Sequence, residues 1–261
     1  MKILRSLFFY PVFFVSTIAL GVSAVLATFV TRNSNWAHLI GRLWGNVCLW
    51  AAGIEVKVTG LENLKPDQPY VFLSNHQGWF DIFTLLGKLP VQFRWLAKEE
   101  LFKVFVLGPA MKAAGYIPID RSDRRKALAS LHQAAERVHA GTSVVIFPEG
   151  TRSPDGSLQD FKKGGFLLAI KSQQPIAAIS ISGSARVLPK AGTWLIQPGT
   201  ITVTVEEPIE TAGLTVKDND TLMLTVREAI RRHLTPAEAG PSPLGPQPPT
   251  NPRTLDRSDE Y

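Results

Sequence analysis

The sequence predicts an α/β fold in which a mainly parallel sheet is flanked by helices. Short apolar runs, typical of buried strands, alternate along the chain with segments whose apolar residues recur at helical spacing. Three of the predicted strands end directly in polar clusters, and in open α/β sheets ligands bind beyond the carboxyl ends of the strands. The sequence therefore also predicts one shared site at one edge of that sheet.

The predicted elements alternate from residue 54 onward. Strands are expected at 55–59, 70–73, 92–96, 115–119, 143–147 and 176–179, with a further β-rich stretch at 193–205. Helices are expected after the polar cluster that follows the second strand, and then at 98–113, 124–140, 164–172 and 217–234. We expect a catalytic domain over residues 54–235, preceded by an N-terminal segment (1–53) and followed by a disordered tail (236–261), because the Pro-rich composition of the tail cannot bury a core.

The N-terminal segment is expected to associate with a membrane. Leu7 to Val30 contains no charged residue for 24 positions, about 36 Å if helical, against a hydrocarbon core of about 30 Å. A cleaved signal peptide is the main alternative, because small residues such as Ala24 and Ala27 resemble a cleavage site. The run is long for a signal peptide, which favours a retained anchor. Trp36 to Trp50 follows as an amphipathic helix that lies at the interface, pairs with the first helix or packs on the catalytic domain.

His76 and Asp81 are the first candidate pair. They follow an apolar strand and precede a predicted helix, and on one continuous helix residues five apart lie about 140° from each other. His76 is therefore expected in the connecting loop, folded back toward Asp81 in the first helical turn. A carboxylate bonded to one ring nitrogen leaves the other free to accept a proton. An isolated pair of this kind is also typical of a histidine with a purely structural role.

A second cluster, from Phe147 to Arg152, follows the strand that begins at Ser143. Pro148 and Gly150 predict a tight turn, and the turn carries an acid, a hydroxyl and a guanidinium. A guanidinium with hydroxyl and backbone donors suits a phosphate. The strand at 115–119 runs into a second arginine, Arg121, which adds to the same expected site.

At these residues the chain resembles the glycerolipid acyltransferases. The first block of the family pattern, Asn-His-x-x-x-x-Asp, matches Asn75, His76 and Asp81. The second block, a glycine followed six residues later by an arginine, matches Gly115 and Arg121. The third block, Pro-Glu-Gly-Thr-Arg, matches residues 148–152 without change. The fourth block, 175–179, is only partly met, because Ala178 stands where many members have a second proline.

The resemblance implies an O-acyltransferase that carries an acyl group to the free hydroxyl of lysophosphatidic acid. It implies that His76 is the general base and Asp81 its orienting group. The residues that it implies for holding the glycerol phosphate are Gly115, Arg121, Glu149, Gly150, Thr151 and Arg152. Since Glu149 cannot bind a phosphate directly without a bridging cation or donor, it is expected to position an arginine or a backbone amide. The donor would be acyl-CoA or acyl-carrier protein, with no other cofactor, and the enzyme would work on the cytoplasmic face of a membrane, in a bacterium the inner membrane.

Two alternatives remain open at this stage. The acceptor could be another lysophospholipid or a lyso-aminolipid, and the scaffold could belong to a non-catalytic or transacylating lipid-binding protein. The net charge of +6 suits anionic partners such as lipid head groups and the phosphates of the donor. Arg124, Arg125 and Lys126, together with Lys162 and Lys163, are candidate donor-binding charges or solvated surface. The sequence has no nucleic-acid motif, no metal-binding His-Glu-x-x-His pattern and no paired cysteines.

Overall fold

The computed structural model describes residues 1–120, 123–190 and 194–240. A seven-stranded sheet forms the centre of the fold, with the order β1-β7-β6-β2-β5-β3-β4. The strands are β1 (Ile54–Thr59), β2 (Val71–Ser74), β3 (Phe93–Lys98), β4 (Ile117–Ile119), β5 (Ser143–Ile146), β6 (Ile176–Ser182) and β7 (Gly199–Val205). All neighbouring strands are parallel except β6 and β7. The predicted mainly parallel sheet is confirmed.

Helices cover both faces of this sheet. The helices are α1 (Lys2–Thr31), α2 (Ser34–Ala52), α3 (Phe80–Lys88), α4 (Leu107–Ala113), α5 (Arg124–His139), α6 (Gly164–Ser172), α7 (Ser184–Val187), α8 (Asn219–Arg231) and α9 (Pro236–Ala239). One core cluster joins α1, α2 and α3 to one face of the sheet. A second cluster joins α5, α6, α8 and α9 to the other face. Along β2, Phe72 belongs to the first cluster and Val71 and Leu73 to the second, as the two-residue period of a strand requires.

The segment between β3 and β4 differs from the single helix predicted at 98–113. A 3₁₀ segment, Glu99–Lys103, and the short helix α4 replace that helix. Between them Val106 has φ +63°, so the chain turns sharply. Pro109 explains the break, because a proline inside a continuous helix removes a backbone hydrogen bond and clashes with the preceding turn. In α4, Pro109 lies in the first turn, where it is tolerated.

The end of the chain also differs from the prediction. The expected disordered tail was to begin at Pro236, but residues 236–239 form α9, with Thr235 and Glu238 in a capping box. Glu238 accepts hydrogen bonds from Ser182 Oγ (2.6 Å) and from the Gly183 amide (2.8 Å). This buried carboxylate ties α9 to the end of β6, so the ordered chain continues at least to Gly240. Residues 241–261 lie outside the described part of the chain.

Strand register brings the two candidate clusters together. β2 lies beside β5 in parallel, with Leu73 opposite Ile146. The segments that follow these two strands therefore leave the sheet at the same edge. His76 comes two residues after β2, and Phe147 directly after β5.

Candidate active site

The His76 ring and the Asp81 carboxylate are joined by a hydrogen bond. Nδ1 of His76 lies 2.8 Å from Oδ2 of Asp81. His76 is in the loop and Asp81 in the first turn of α3, so the predicted geometry is confirmed. With Nδ1 donating to the carboxylate, Nε2 is the nitrogen that remains to accept a proton.

The loop itself holds Asp81 in place. Its Oδ2 also accepts the amide N–H groups of Gln77 (2.7 Å) and Gly78 (2.8 Å), and its side chain is completely buried. Negative charge is stabilised at a helix N-terminus, where backbone N–H groups have no partner within the helix. Three donors on one oxygen therefore fix the direction in which the carboxylate presents itself to His76.

The turn after β5 holds the backbone of His76. The His76 amide donates to Oε1 of Glu149 (2.9 Å), and the amide of Ser153 donates to the His76 carbonyl (2.7 Å). The imidazole ring stacks on Phe147, with ring centroids 3.8 Å apart. The two polar loops thus behave as one unit, and the position of the imidazole depends on both.

Glu149 is part of this support and lies below the surface. Only 3% of it is exposed. Burial, and then the neighbouring Asp81 carboxylate, raises the pKa of Glu149 to about 8. Glu149 is predicted to position either an arginine or a backbone amide. Its hydrogen bond with the His76 amide matches the role of positioning a backbone amide.

Arg152 lies beside Trp79, the residue that directly precedes α3. Its guanidinium carbon is 4.9 Å from the centre of the Trp79 ring, close enough for a cation–π contact. Partial burial lowers the pKa of Arg152 and the Asp81 carboxylate opposes that effect, so the guanidinium is within electrostatic reach of the pair. Gly150 has φ +75° and makes the turn that carries Thr151 and Arg152.

Of the second block, Gly115 and Arg121, only Gly115 is described, and it does not lie with these residues. Arg121 lies outside the described residues. Gly115 precedes β4 by two residues, at the amino end of that strand, whereas His76 and Glu149 follow the carboxyl ends of theirs. Gly115 has φ +70°, and its carbonyl accepts a hydrogen bond from Arg137. Its observed role is to make the turn into β4.

A large apolar cavity opens beside His76. Its volume is about 570 Å³. Its walls come from α1, α2, α3 and the segment between β3 and β4; they include Phe13, Phe14, Ile18, Trp44, Trp79, Ile82, Phe83, Leu86, Leu101, Val104, Phe105, Leu107 and Met111. Lys98, the last residue of β3, also lines it. The sequence does not predict this cavity, because the apolar residues of α1 indicate a membrane anchor and not the wall of a binding site.

The partly matched fourth block does not line this cavity. Ala178 is completely buried in β6, within the second core cluster, and lies opposite Leu73 of β2. Asn75 connects the same strand to the site, since its side chain donates to the Ile181 carbonyl (2.7 Å) and accepts from the Ile181 amide (2.8 Å). The departure from the family pattern at Ala178 therefore lies in the core.

Several known proteins are similar to this chain. The family model described as Acyltransferase matches residues 55–182. A 1-acyl-sn-glycerol-3-phosphate acyltransferase of Pseudomonas aeruginosa is 33% identical, over 80% of this chain and 82% of its own length. A chloroplastic protein of the same name from Arabidopsis thaliana is 33% identical, over 83% of this chain and 62% of its own length, and one from Brassica napus is 37% identical, over 66% and 50%. The chain thus spans one half to about three fifths of these plant relatives.

A solved structure is also similar. The crystal structure of the 1-acyl-sn-glycerophosphate acyltransferase PlsC from Thermotoga maritima matches with a TM-score of 0.76 and 28% identity, covering 89% of this chain and 95% of that one. The fold is thus that of an α/β acyltransferase. The chain belongs to the Acyltransferase family.

Proposed function

We propose that the protein is a 1-acylglycerol-3-phosphate O-acyltransferase, which acylates lysophosphatidic acid to phosphatidic acid. The observation that carries the proposal is the His76–Asp81 pair at the wall of an apolar cavity, with Arg152 over the ring of Trp79, which also lines that cavity. The names of the relatives from Pseudomonas aeruginosa and Thermotoga maritima support the same substrate. The donor is acyl-CoA or acyl-carrier protein, and no metal takes part.

In this mechanism His76 is the general base. Nε2 takes the proton of the acceptor hydroxyl, whose oxygen attacks the thioester carbonyl of the donor. The carbon–sulfur bond then breaks, and the imidazolium returns the proton to the leaving sulfur, which departs as a free thiol. Asp81 stabilises the imidazolium between the two steps. Proton transfer of this kind contributes about 10²–10⁴-fold.

The surrounding residues form a polar part of the site, which binds the acceptor phosphate, and an apolar part, which binds an acyl chain. Arg152, with Thr151 beside it and Arg121 from the second block, holds the acceptor phosphate. Gly150 shapes the turn, and Glu149 acts through the His76 amide. The cavity takes a fatty acyl chain, since about 0.8 kcal/mol is gained for each buried methylene group.

The proposed location is a membrane surface facing the donor, the cytoplasmic face of the inner membrane in a bacterium. Among the described residues, α1 is the one helix long and apolar enough to cross a membrane. Two features of α1 favour its retention over cleavage as a signal peptide. Phe9 is buried in the first core cluster, and Phe13 and Phe14 line the cavity beside His76.

The test is thioester consumption by purified full-length protein in detergent, with a panel of lysolipid acceptors and both donor types. We expect lysophosphatidic acid to be preferred to other lysophospholipids and lyso-aminolipids. His76→Ala should lower kcat by at least about 10²-fold. His132→Ala, an exposed histidine of α5 that contacts Lys171, is the matched control and should retain activity. Turnover of His76→Ala within a few-fold of wild type would refute the mechanism.

A further inference from the structure

Three cations, Arg152, Lys162 and Lys190, lie at the turn formed by residues 149–152. Arg152, Lys162 and Lys190 form no salt bridge with any carboxylate in the described part of the chain, whereas several other surface lysines do. Lys163, directly next to Lys162, pairs with Asp220 at 2.7 Å, and Lys126 pairs with Asp120 at 3.4 Å. The two lysine charges at the turn are therefore not paired with an acidic residue in the described part of the chain, whereas Arg152 is within electrostatic reach of Asp81.

Lys190 reaches the turn from a distant part of the sequence. It lies after α7, and its Nζ donates to the Arg152 carbonyl (2.7 Å) and contacts Oγ1 of Thr151 (3.3 Å). Both partners are neutral oxygens. The ammonium charge is therefore held at the base of Arg152 without being neutralised, and a donor position remains, since an ammonium has three N–H groups.

Lys162 follows the turn in the sequence, and both its backbone and its side chain lie against the turn. Its amide donates to the Pro148 carbonyl (2.8 Å), which fixes its backbone against the turn. A Cβ atom placed on Gly150 would lie only 2.9 Å from Nζ of Lys162. The ammonium thus rests directly over the glycine that the family pattern requires, and a side chain at that position would displace it.

We infer that Lys162 and Lys190 bind the acceptor phosphate together with Arg152, so that the site selects a phosphate monoester. A monoester carries close to two negative charges at neutral pH, as phosphorylated side chains do, whereas the phosphodiester of a larger head group carries one. Charges clustered at one turn favour the more highly charged ligand. The inference rests on the proposed function, and it moves Lys162 from the candidate donor-binding charges to the acceptor site. Lys163, whose charge is paired with Asp220, is solvated surface.

The kinetic test uses full-length Lys162→Met and Lys190→Met, with Lys163→Met as the matched control. With lysophosphatidic acid varied at saturating donor, each of the first two should raise the acceptor KM by roughly 5- to 20-fold, as expected for one exposed charge-assisted hydrogen bond. The donor KM and kcat should change less than about 2-fold, and Lys163→Met should match wild type in all three. An unchanged acceptor KM, or a raised donor KM, would overturn the inference.

Two further measurements separate phosphate binding from a structural role at the turn. Lys190→Arg should recover most of the acceptor affinity, and transfer to 1-oleoylglycerol, which lacks the phosphate, should be equal in wild type and both methionine variants. Loss of transfer to both acceptors would show that the lysines only support the turn, and would contradict the inference.

A binding measurement separates this inference from the proposed function. Calorimetric titration with dodecyl phosphate, in detergent, should show binding to wild type that is weakened several-fold in Lys162→Met and Lys190→Met. That result would support the phosphate site even if wild type transferred no acyl group to lysophosphatidic acid. Equal binding by all variants, or none by wild type, would refute the site whatever the enzyme's activity.

Discussion

At the residue scale, a buried carboxyl group lies directly beside the His76–Asp81 pair. The Glu149 carboxyl accepts the His76 amide with Oε1, and its Oε2 has no hydrogen-bond partner among the described residues. Asp81 is its negatively charged neighbour and Arg227 contributes a weaker positive charge. Because a buried charge without a close cation is costly, Glu149 is neutral over most of the neutral pH range.

Glu149 therefore makes stability depend on pH. The pKa of Glu149 is raised in the folded state to about 8. The stabilisation of the folded protein by the protonated carboxyl is therefore fully present below the unfolded pKa of Glu149, about 4.3. This stabilisation is lost as pH rises through about 8. Glu149→Gln removes this ionisation while keeping an oxygen for the His76 amide. We expect the melting temperature of the variant, relative to wild type, to increase between about pH 5 and pH 9. A constant difference over that interval would mean that Glu149 does not titrate there.

Kinetic measurements can distinguish whether Glu149 positions the His76 amide or positions an arginine. If it acts through the His76 amide, Glu149→Ala should lower kcat and leave the acceptor KM nearly unchanged, while Glu149→Gln should retain most of kcat. A selective increase of the acceptor KM in both variants would instead indicate that Glu149 positions an arginine at the phosphate.

The residues of the site could be predicted to different extents. The spacing of His76 and Asp81 across a strand-to-helix loop predicted their hydrogen bond, because both ends of the contact are local in sequence. Lys190 could not be found this way, since it meets Thr151 and Arg152 only through the folding of a segment almost forty residues away. The sequence also does not predict that Lys162 lacks a salt bridge among the described residues, because this depends on which side chains meet on the folded surface.

At the element scale, α2 and α3 pack closely through glycine. A Cβ atom on Gly45 of α2 would lie 2.8 Å from the Phe83 carbonyl and 3.1 Å from the Gly87 amide of α3. The same two helices contribute Trp44, Phe83 and Leu86 to the cavity. The close approach of the helices therefore helps to define the cavity wall.

Gly45→Ala should consequently destabilise the protein even though alanine favours helices. Overpacking costs about 1–3 kcal/mol, partly offset by about 0.5–1 kcal/mol from the loss of glycine. We expect the melting temperature to fall by roughly 2–8 °C. Gly199→Ala is the matched control, because a Cβ atom there meets nothing within 4 Å, and its melting temperature should change by less than about 2 °C. If the two substitutions changed the melting temperature equally, α2 and α3 would be able to move apart without loss of stability.

Element predictions succeeded where one periodicity dominates. Residues 164–172 form α6 exactly as predicted, since an apolar helical pattern there is bounded by glycine and by polar residues. The single helix predicted at 98–113 is wrong, because Pro109 cannot lie in the interior of one continuous helix. The central residues of this segment, Val104 and Phe105, line the cavity, which no local pattern reveals.

At the scale of the whole molecule, α1 belongs to the folded domain and also presents an apolar outer surface. Ser6 Oγ accepts the Ile196 amide (2.8 Å) and Tyr10 donates to the Trp194 carbonyl (2.6 Å), so the first half of α1 is fixed to the catalytic domain. Leu26 and Phe29, near its other end, are 57% and 80% exposed. An exposed apolar surface of this extent on a helix marks an interaction site, and a lipid surface fits the proposed substrate.

Membrane retention should therefore depend on the outer surface of α1. The full-length protein should remain with membranes in high salt and alkaline carbonate, because apolar insertion is not screened by ions. Leu26→Glu combined with Phe29→Glu should shift it substantially to the soluble fraction, while activity on detergent-dispersed substrate persists. Leu128→Glu combined with Val216→Glu is the control, since both residues are exposed apolar side chains outside α1, and it should stay with the membrane.

The mature N-terminus provides the deciding measurement for this arrangement. If α1 is retained, mass spectrometry of the purified protein should find a chain that still contains Phe9, Phe13 and Phe14. A chain beginning near Thr28 would lose a buried core residue and part of the cavity wall. Removal of a buried phenylalanine alone costs about 3–5 kcal/mol, a large part of the stability of a typical domain. A stable, active protein that begins near Thr28 would therefore contradict both the membrane anchor and the role of α1 in the cavity.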